Sequence, residues 1–177
     1  MLASAQGGVF SRGQALSCGY TTQQIQRRLG DGRWERIRYG QYAVALDLGS
    51  RPTWEQRQIR HTQLVHAAMN SMKAGSVAVS HQSALVLHGS PVWGLDLAEA
   101  HLTRLDDHRG GPIAGVRHHH GLLAPADLTE VSGLTATDLV GPGVSGLGVG
   151  GGLRLGGRPS GVPGGPSLGR RSRPGPC

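Results

Sequence analysis

Apolar and polar positions divide this chain into stretches with different periods. Between residues 11 and 29 apolar positions are few and helix-punctuating residues are dense. Ser11 can cap a helix, with Gln14 three residues on to close a capping box. Thr21 can open a second helix with Gln24 as its box partner, while Tyr20 and Ile25 hold the N′ and N4 spacing of a hydrophobic staple. Gly19 stands between them, where a helix end needs a residue tolerant of the left-handed conformation. These signals predict a helix-turn-helix. The β-branched and aromatic residues of 34–44, set around Tyr39-Gly40, predict a hairpin directly after it. A helix-turn-helix followed at once by a hairpin reads as a winged helix.

Further along, residues 47–52 read as a linker. Thr53 can cap a long helix, polar over residues 54–63 and apolar afterwards (Leu64, Val65, Ala67, Ala68, Met69, Met72), with Gly75 as its stop. Val77-Ala78-Val79 is a short buried-strand pattern, and residues 80–89 read as a helix capped by Ser80 and ended by Gly89. Residues 100–104 and 115–119 look like strands around a polar loop. Residues 128–131 and 134–137 look like a hairpin across Ser132-Gly133. The expected fold class is α+β. A winged helix-turn-helix over residues 1–48 is followed by a small α/β companion domain over 53–140 and a tail over 141–177. No internal repeat is visible.

The helical period also sorts the faces of the second helix. With Ile25 and Leu29 turned to the core, Thr22 falls near the same side, Gln23, Gln26 and Arg27 project outward, and Gln24 and Arg28 lie on the flanks. Gln pairs with adenine and Arg with guanine or phosphate in a major groove, so this face suits DNA. Arg33, Arg36 and Arg38 on the hairpin can lie along phosphates. The candidate DNA-binding set is Thr21, Thr22, Gln23, Gln24, Gln26, Arg27, Arg28, Arg33, Arg36 and Arg38. A solvated surface helix would show the same amides and guanidiniums, and both readings stay open from spacing alone.

Net charge changes this picture less than its value of +7 implies. Residues 1–140 hold 13 Lys and Arg against 11 acids, whereas the last 37 residues hold 5 arginines and no acid. Local placement matters more: residues 11–38 carry six arginines against Asp31 and Glu35. No apolar run is long enough to span a bilayer, and residues 1–7 lack a basic start and a signal core. Cys18 and Cys177 make neither a disulfide framework nor a metal set, so a reducing cytoplasm is the expected setting.

Candidate chemistry is sparse. His118-His119-His120 alternate faces on a strand, and no Cys-x-x-Cys or His-Glu-x-x-His lies near to complete a zinc set. His81 and His88 are about two helical turns apart, too far to chelate one ion, so no metal site and no cofactor are expected. Asp106-Asp107 and Asp127/Glu130 are isolated carboxylates, Asp96 and Glu99 read as caps or solvated groups, and Lys73 is the single lysine. The chain is therefore not expected to be an enzyme.

Four stretches together carry a resemblance: residues 6–15, residues 32–42, Ser80-His81-Gln82-Ser83-Ala84 with Leu87-His88-Gly89, and His101-Leu102-Thr103-Arg104. They resemble, in the same order, an actinobacterial group of AbiEi-like antitoxins of type IV toxin–antitoxin systems. The resemblance covers about residues 6–138. It implies a sequence-specific binder of double-stranded operator DNA that represses its own operon and counters a nucleotidyltransferase-like toxin; a homodimer on DNA is a separate expectation, which the resemblance does not carry. Many of the group continue into a very-short-patch-repair-like endonuclease domain. The remnant of such a fusion is one alternative; a protein-interaction module that binds a toxin is another. Only residues 1–5 precede the Gly7-Gly8 pair, where the group has a fuller first helix, so a stub or a start further upstream is expected.

Beyond Asp138 the group continues into an Ala- and Leu-rich helix, whereas this chain turns to Gly, Pro and Arg. Residues 141–177 hold 14 of the 30 glycines and 6 of the 10 prolines, without an acid or an aromatic. Such a composition buries too little apolar surface to offset chain entropy, and the tail is expected to be disordered. It is also what G- and C-rich codons give out of frame. Codons allowed for residues 149–157, read one nucleotide later, can encode Leu-Glu-Ala-Ala-Ser-Val-Trp-Ala-Asp. A frameshift near residue 140 is the expectation.

Overall fold

The computed structural model describes residues 7–106 and 111–139. The tail, Cys177, Asp107 and the residues ahead of Gly7 lie outside them, and so do the expectations placed there.

The N-terminal unit runs β1 (Val9–Ser11), α1 (Arg12–Ser17), α2 (Thr22–Gly30), β2 (Trp34–Arg38) and β3 (Gln41–Val44), its strands in the order β1-β3-β2. Both capping boxes form. Ser11 accepts from Gln14 N and Gln14 Oε1 from Ser11 N, at 3.1 and 2.7 Å, and Thr21 and Gln24 exchange the same pair at 3.2 and 2.8 Å. Gly19 adopts φ +88°, as the turn between the helices requires. Ala15, Ile25, Trp34 and Tyr42 form the core here, with Phe10 and Tyr20 packed edge-on to Trp34 at ring separations of 4.7 and 5.0 Å. Strand β1 has no counterpart among the expected elements. Val9 and Phe10, between a Gly pair and the capping Ser11, are too few to show alternation, and only pairing with β3 makes Val9–Ser11 a strand.

Helix α3 (Thr53–Met69) packs on both halves of the molecule. Its Ala67 meets Val9 and Ala43, and its Val65 and Ala68 join the core of the second sheet. Two expectations are corrected at its ends. Thr53 is the first helical residue rather than the cap; Pro52 is the N-cap and gives no side-chain bond. The helix ends at Met69, well before Gly75. There Ser71 N and Met72 N tighten to Ala68 O and Met69 O at 3.0 Å, and Ser71 Oγ donates to Ala67 O at 2.8 Å. Those bonds satisfy terminal carbonyls before any glycine is needed.

The remaining elements are β4 (Val77–Val79), α4 (His81–Leu87), β5 (Ala100–Arg104), β6 (Gly111–Ile113), β7 (Val116–His120), a 3-10 turn (Pro125–Asp127), β8 (Leu128–Val131) and β9 (Leu134–Thr137). The sheet order is β6-β7-β5-β4-β9-β8, with β5–β7 and β4–β9 parallel and the other pairs antiparallel. Val77, Val79, Leu102, Val116 and Ala136 turn to α3 and close the larger core. Ser80 does not cap α4 through its side chain. Its Oγ instead accepts from Thr103 Oγ1 at 2.8 Å and lies 3.0 Å from His81 Nδ1. Among the described residues no helix is long and apolar enough to cross a membrane.

Candidate nucleic-acid interface

Helix α2 is held at both ends, by its capping box and by Asp31 N donating to Arg27 O at 2.8 Å, and it buries only Ile25. That leaves Gln23, Gln26 and Arg27 exposed. Arg27 is 81 % exposed and only loosely paired with Asp31, at 3.7 Å. Such an exposed pair gives up little when a phosphate or base edge replaces the carboxylate.

The other expected site residues divide. Thr21 and Gln24 are spent on the capping box. Thr22 is exposed, where helical spacing had set it near the buried side, and its Oγ1 accepts from Arg12 Nη2 at 3.1 Å, which brings Arg12 beside the face. Arg28 lies over the rings of Tyr20 and Trp34, at 5.0 and 5.3 Å, so its guanidinium is packing the core edge. Arg33 and Arg36 are exposed. Arg38 departs from them: its Nη1 is buried without a hydrogen-bond partner, burial lowers its pKa, and its charge acts on His118 of β7. A bulge between Arg36 and Arg38 breaks the register that would have aligned the two. At the hairpin tip Tyr39 is 96 % exposed. Sequence reasoning passed over it, although an aromatic at a turn next to glycine was the available signal.

The carboxylates are engaged locally. Arg104 forms a fork on Asp106 at 2.6 and 2.8 Å, and Glu99 pairs with Arg117 at 2.8 Å. Asp96 and Asp127 accept from the backbone of Ala98 and Ala124. Asp96 thus makes a local backbone bond of the capping kind expected, whereas Glu99, expected to cap or to be solvated, is paired with Arg117 instead.

The histidines do not follow the sequence expectation that no set converges. Parallel pairing of β5 with β7 brings His101 Nδ1 to 2.8 Å from His119 Nε2, and the ring of His81, from the start of α4, stacks on His119 at 3.8 Å. Burial first, then the neighbouring imidazoles, push His119 down to about 4; His81 and His101 are also lowered, first by burial. These residues lie 18 to 38 positions apart, and nothing local in the sequence signals that they meet.

Residues 1–45 match the family described as "Transcriptional regulator, AbiEi antitoxin". No curated protein matches the chain. The matched segment contains the helix-turn-helix and the hairpin, and the larger sheet lies outside it.

Proposed function

We propose that the protein is an antitoxin-like transcriptional regulator whose winged helix binds double-stranded operator DNA. The observation that carries this reading is the exposed Gln23, Gln26 and Arg27 face on a doubly capped helix, within the segment that matches a regulator family. Helix α2 enters the major groove and reads bases through these three side chains. Arg33, Arg36 and Arg12 neutralise phosphates beside it, and Tyr39 reaches the backbone from the hairpin tip. The protein acts in the cytoplasm by binding rather than catalysis. It represses its own operon as a homodimer and counters a nucleotidyltransferase-like toxin.

A gel shift of the full chain against its own upstream region tests the reading. Arg27→Ala should weaken specific binding by about 1–3 kcal/mol if the guanidinium reaches a guanine edge. Arg33→Ala should weaken binding to all sequences alike and reduce the salt slope by about one. Unchanged operator affinity in both Arg27→Ala and Gln23→Ala would overturn the groove assignment.

A second reading, a module that docks a protein, has one observation in its favour. Trp54 and Trp93 are 51 % and 77 % exposed, with ring centroids 6.1 Å apart, and both line an open cleft of about 1500 Å³ beside α3. Large aromatics left in water are the anchors that interfaces use.

A further inference from the structure

We propose that His81, His101 and His119 form a binding site for a divalent transition metal of the zinc class, with three imidazole ligands and an open fourth position. One ligand nitrogen from each residue lies within 4.8 Å of the other two. Three nitrogens on zinc bonds of about 2.0–2.1 Å stand ~3.3 Å apart in a tetrahedron. That distance falls between the 2.8 Å now separating His101 Nδ1 from His119 Nε2 and the 4.8 Å limit of the set. The distances fit an ion, and the stacked rings of His81 and His119, 22° from parallel, must rotate about their side-chain torsions to aim their lone pairs at it.

The surroundings select the right nitrogens. Ser80 Oγ lies 3.0 Å from His81 Nδ1, so it can take the Nδ1 proton and leave Nε2 as the ligand. Gln82 lies on the far side of His101, its amide nitrogen 2.6 Å from Nε2. Rotating that amide gives up the 3.3 Å bond from its nitrogen to Asp96 O and puts its oxygen there to accept an Nε2 proton, which leaves the Nδ1 lone pair for the metal. The proton now shared between His101 and His119 moves to that far nitrogen, and no charge is gained or lost by the protein. All three rings are held towards the neutral state, in which imidazole is a ligand.

A second, independent observation is the backbone of His81, at φ +53°, a conformation that suits glycine and strains any residue with a Cβ. That strained turn sets the exposed ring of His81 over His119. With His81 exposed, the fourth position faces water, as in open rather than closed zinc sites.

Zn²⁺ and Co²⁺ salts are the probes, with the full chain stripped by chelator. One equivalent of Co²⁺ should bind with the visible absorption of a four-coordinate complex. Zn²⁺ should displace it and raise the melting temperature. His119→Ala and His81→Gly should weaken binding by tenfold or more. His81→Gly is the decisive variant: it relieves the strained φ, so the metal-free protein folds at least as well while losing the response to Zn²⁺. His120→Ala, on the same strand, should bind as the parent does. Absence of a one-to-one complex, undiminished binding in His81→Gly, or an equal loss in His120→Ala would each overturn the site.

Discussion

The two sheets of this molecule are assembled by opposite means. In the N-terminal unit β2 and β3 pair across the Tyr39-Gly40 turn, and only β1 comes from further off. In the second sheet β7 lies beside β5 and β9 beside β4, pairs that are neighbours in space but not consecutive in the chain. The first unit is specified by nearest-neighbour chemistry: two capping boxes, left-handed glycines at the turns (Gly19, Gly32 and Gly40) and a hairpin. The second depends on crossovers that are favourable only once α3 covers the sheet. Long-range pairing of that kind repays its entropy late, and it can bring distant side chains together. The histidine cluster is the clearest product of it. Helix α3 packs on both halves and couples them.

The largest expected effect comes from truncating either core. Ile25→Ala and Leu102→Ala, both in fully buried positions, should each cost about 2–5 kcal/mol. Because α3 packs Ala67 on one sheet and Val65 on the other, each should lower a single denaturation midpoint seen alike by tryptophan fluorescence and circular dichroism. Two separated transitions would show that the halves fold independently.

The seam between them is the next point to break. Gly7, at φ +60°, lies so close to α3 that an added Cβ would stand 2.5 Å from the His66 ring. Gly7→Ala combines left-handed strain with that collision and should cost about 1–3 kcal/mol. The loss should show as reduced hydrogen-exchange protection in β1 and α3 ahead of α2. An unaltered melting temperature would mean the seam contributes nothing.

How much was legible follows the same division. Ser11, Thr21, Gly19 and the Tyr39-Gly40 turn each act within a few residues, and each was read correctly from spacing. The outward turn of Gln23, Gln26 and Arg27 followed from the helical period alone. What failed needed a partner from elsewhere. Arg38 turns inward beside β7, Arg28 is taken by two aromatic rings, and Ser80 is diverted from its cap by Thr103. His119 looked isolated because its companions arrive from α4 and β5.

Acid should separate the halves further. All nine histidines lie at residue 61 or later. Burial lowers the pKa of both His61 and His66; for His61 the Leu97 carbonyl and the charge of Asp96 oppose the shift. His61 is also bonded to Ser83 Oγ at 2.9 Å, with His101 beyond, and His66 faces Gly7. A folded pKa below the unfolded value, about 6.5, gives stability that is complete above that value and is lost as pH falls towards the folded one. Protection factors in β4 and β5 should therefore decline from pH 7 to pH 5 before those of β2 and α2. That local opening precedes the shared global transition; a parallel decline would show that protonation acts only through global unfolding.

The smallest effect tests the local chemistry that distinguishes the first unit. Thr21 and Thr53 both stand where sequence places a helix cap, but only the Thr21 hydroxyl accepts a backbone N–H, at 3.2 Å, while Thr21 N–H donates in return to Gln24 Oε1. Removing the Thr21 hydroxyl leaves the Gln24 backbone amide, at the start of a nine-residue helix, to water, while the bond from the residue 21 backbone N–H to Gln24 Oε1 can remain. Thr21→Ala should cost about 0.5–2 kcal/mol, and Thr21→Ser should restore most of it. Thr53→Ala removes a hydroxyl that caps nothing and should stay within about 0.5 kcal/mol of the parent. Since α2 carries the proposed DNA-reading face, Thr21→Ala should also weaken operator binding, whereas Thr53→Ala should leave it unchanged. Equal costs for the two threonines in denaturant titrations would mean that caps do not separate the halves, and that α2 is held by Ile25 and Trp34 alone.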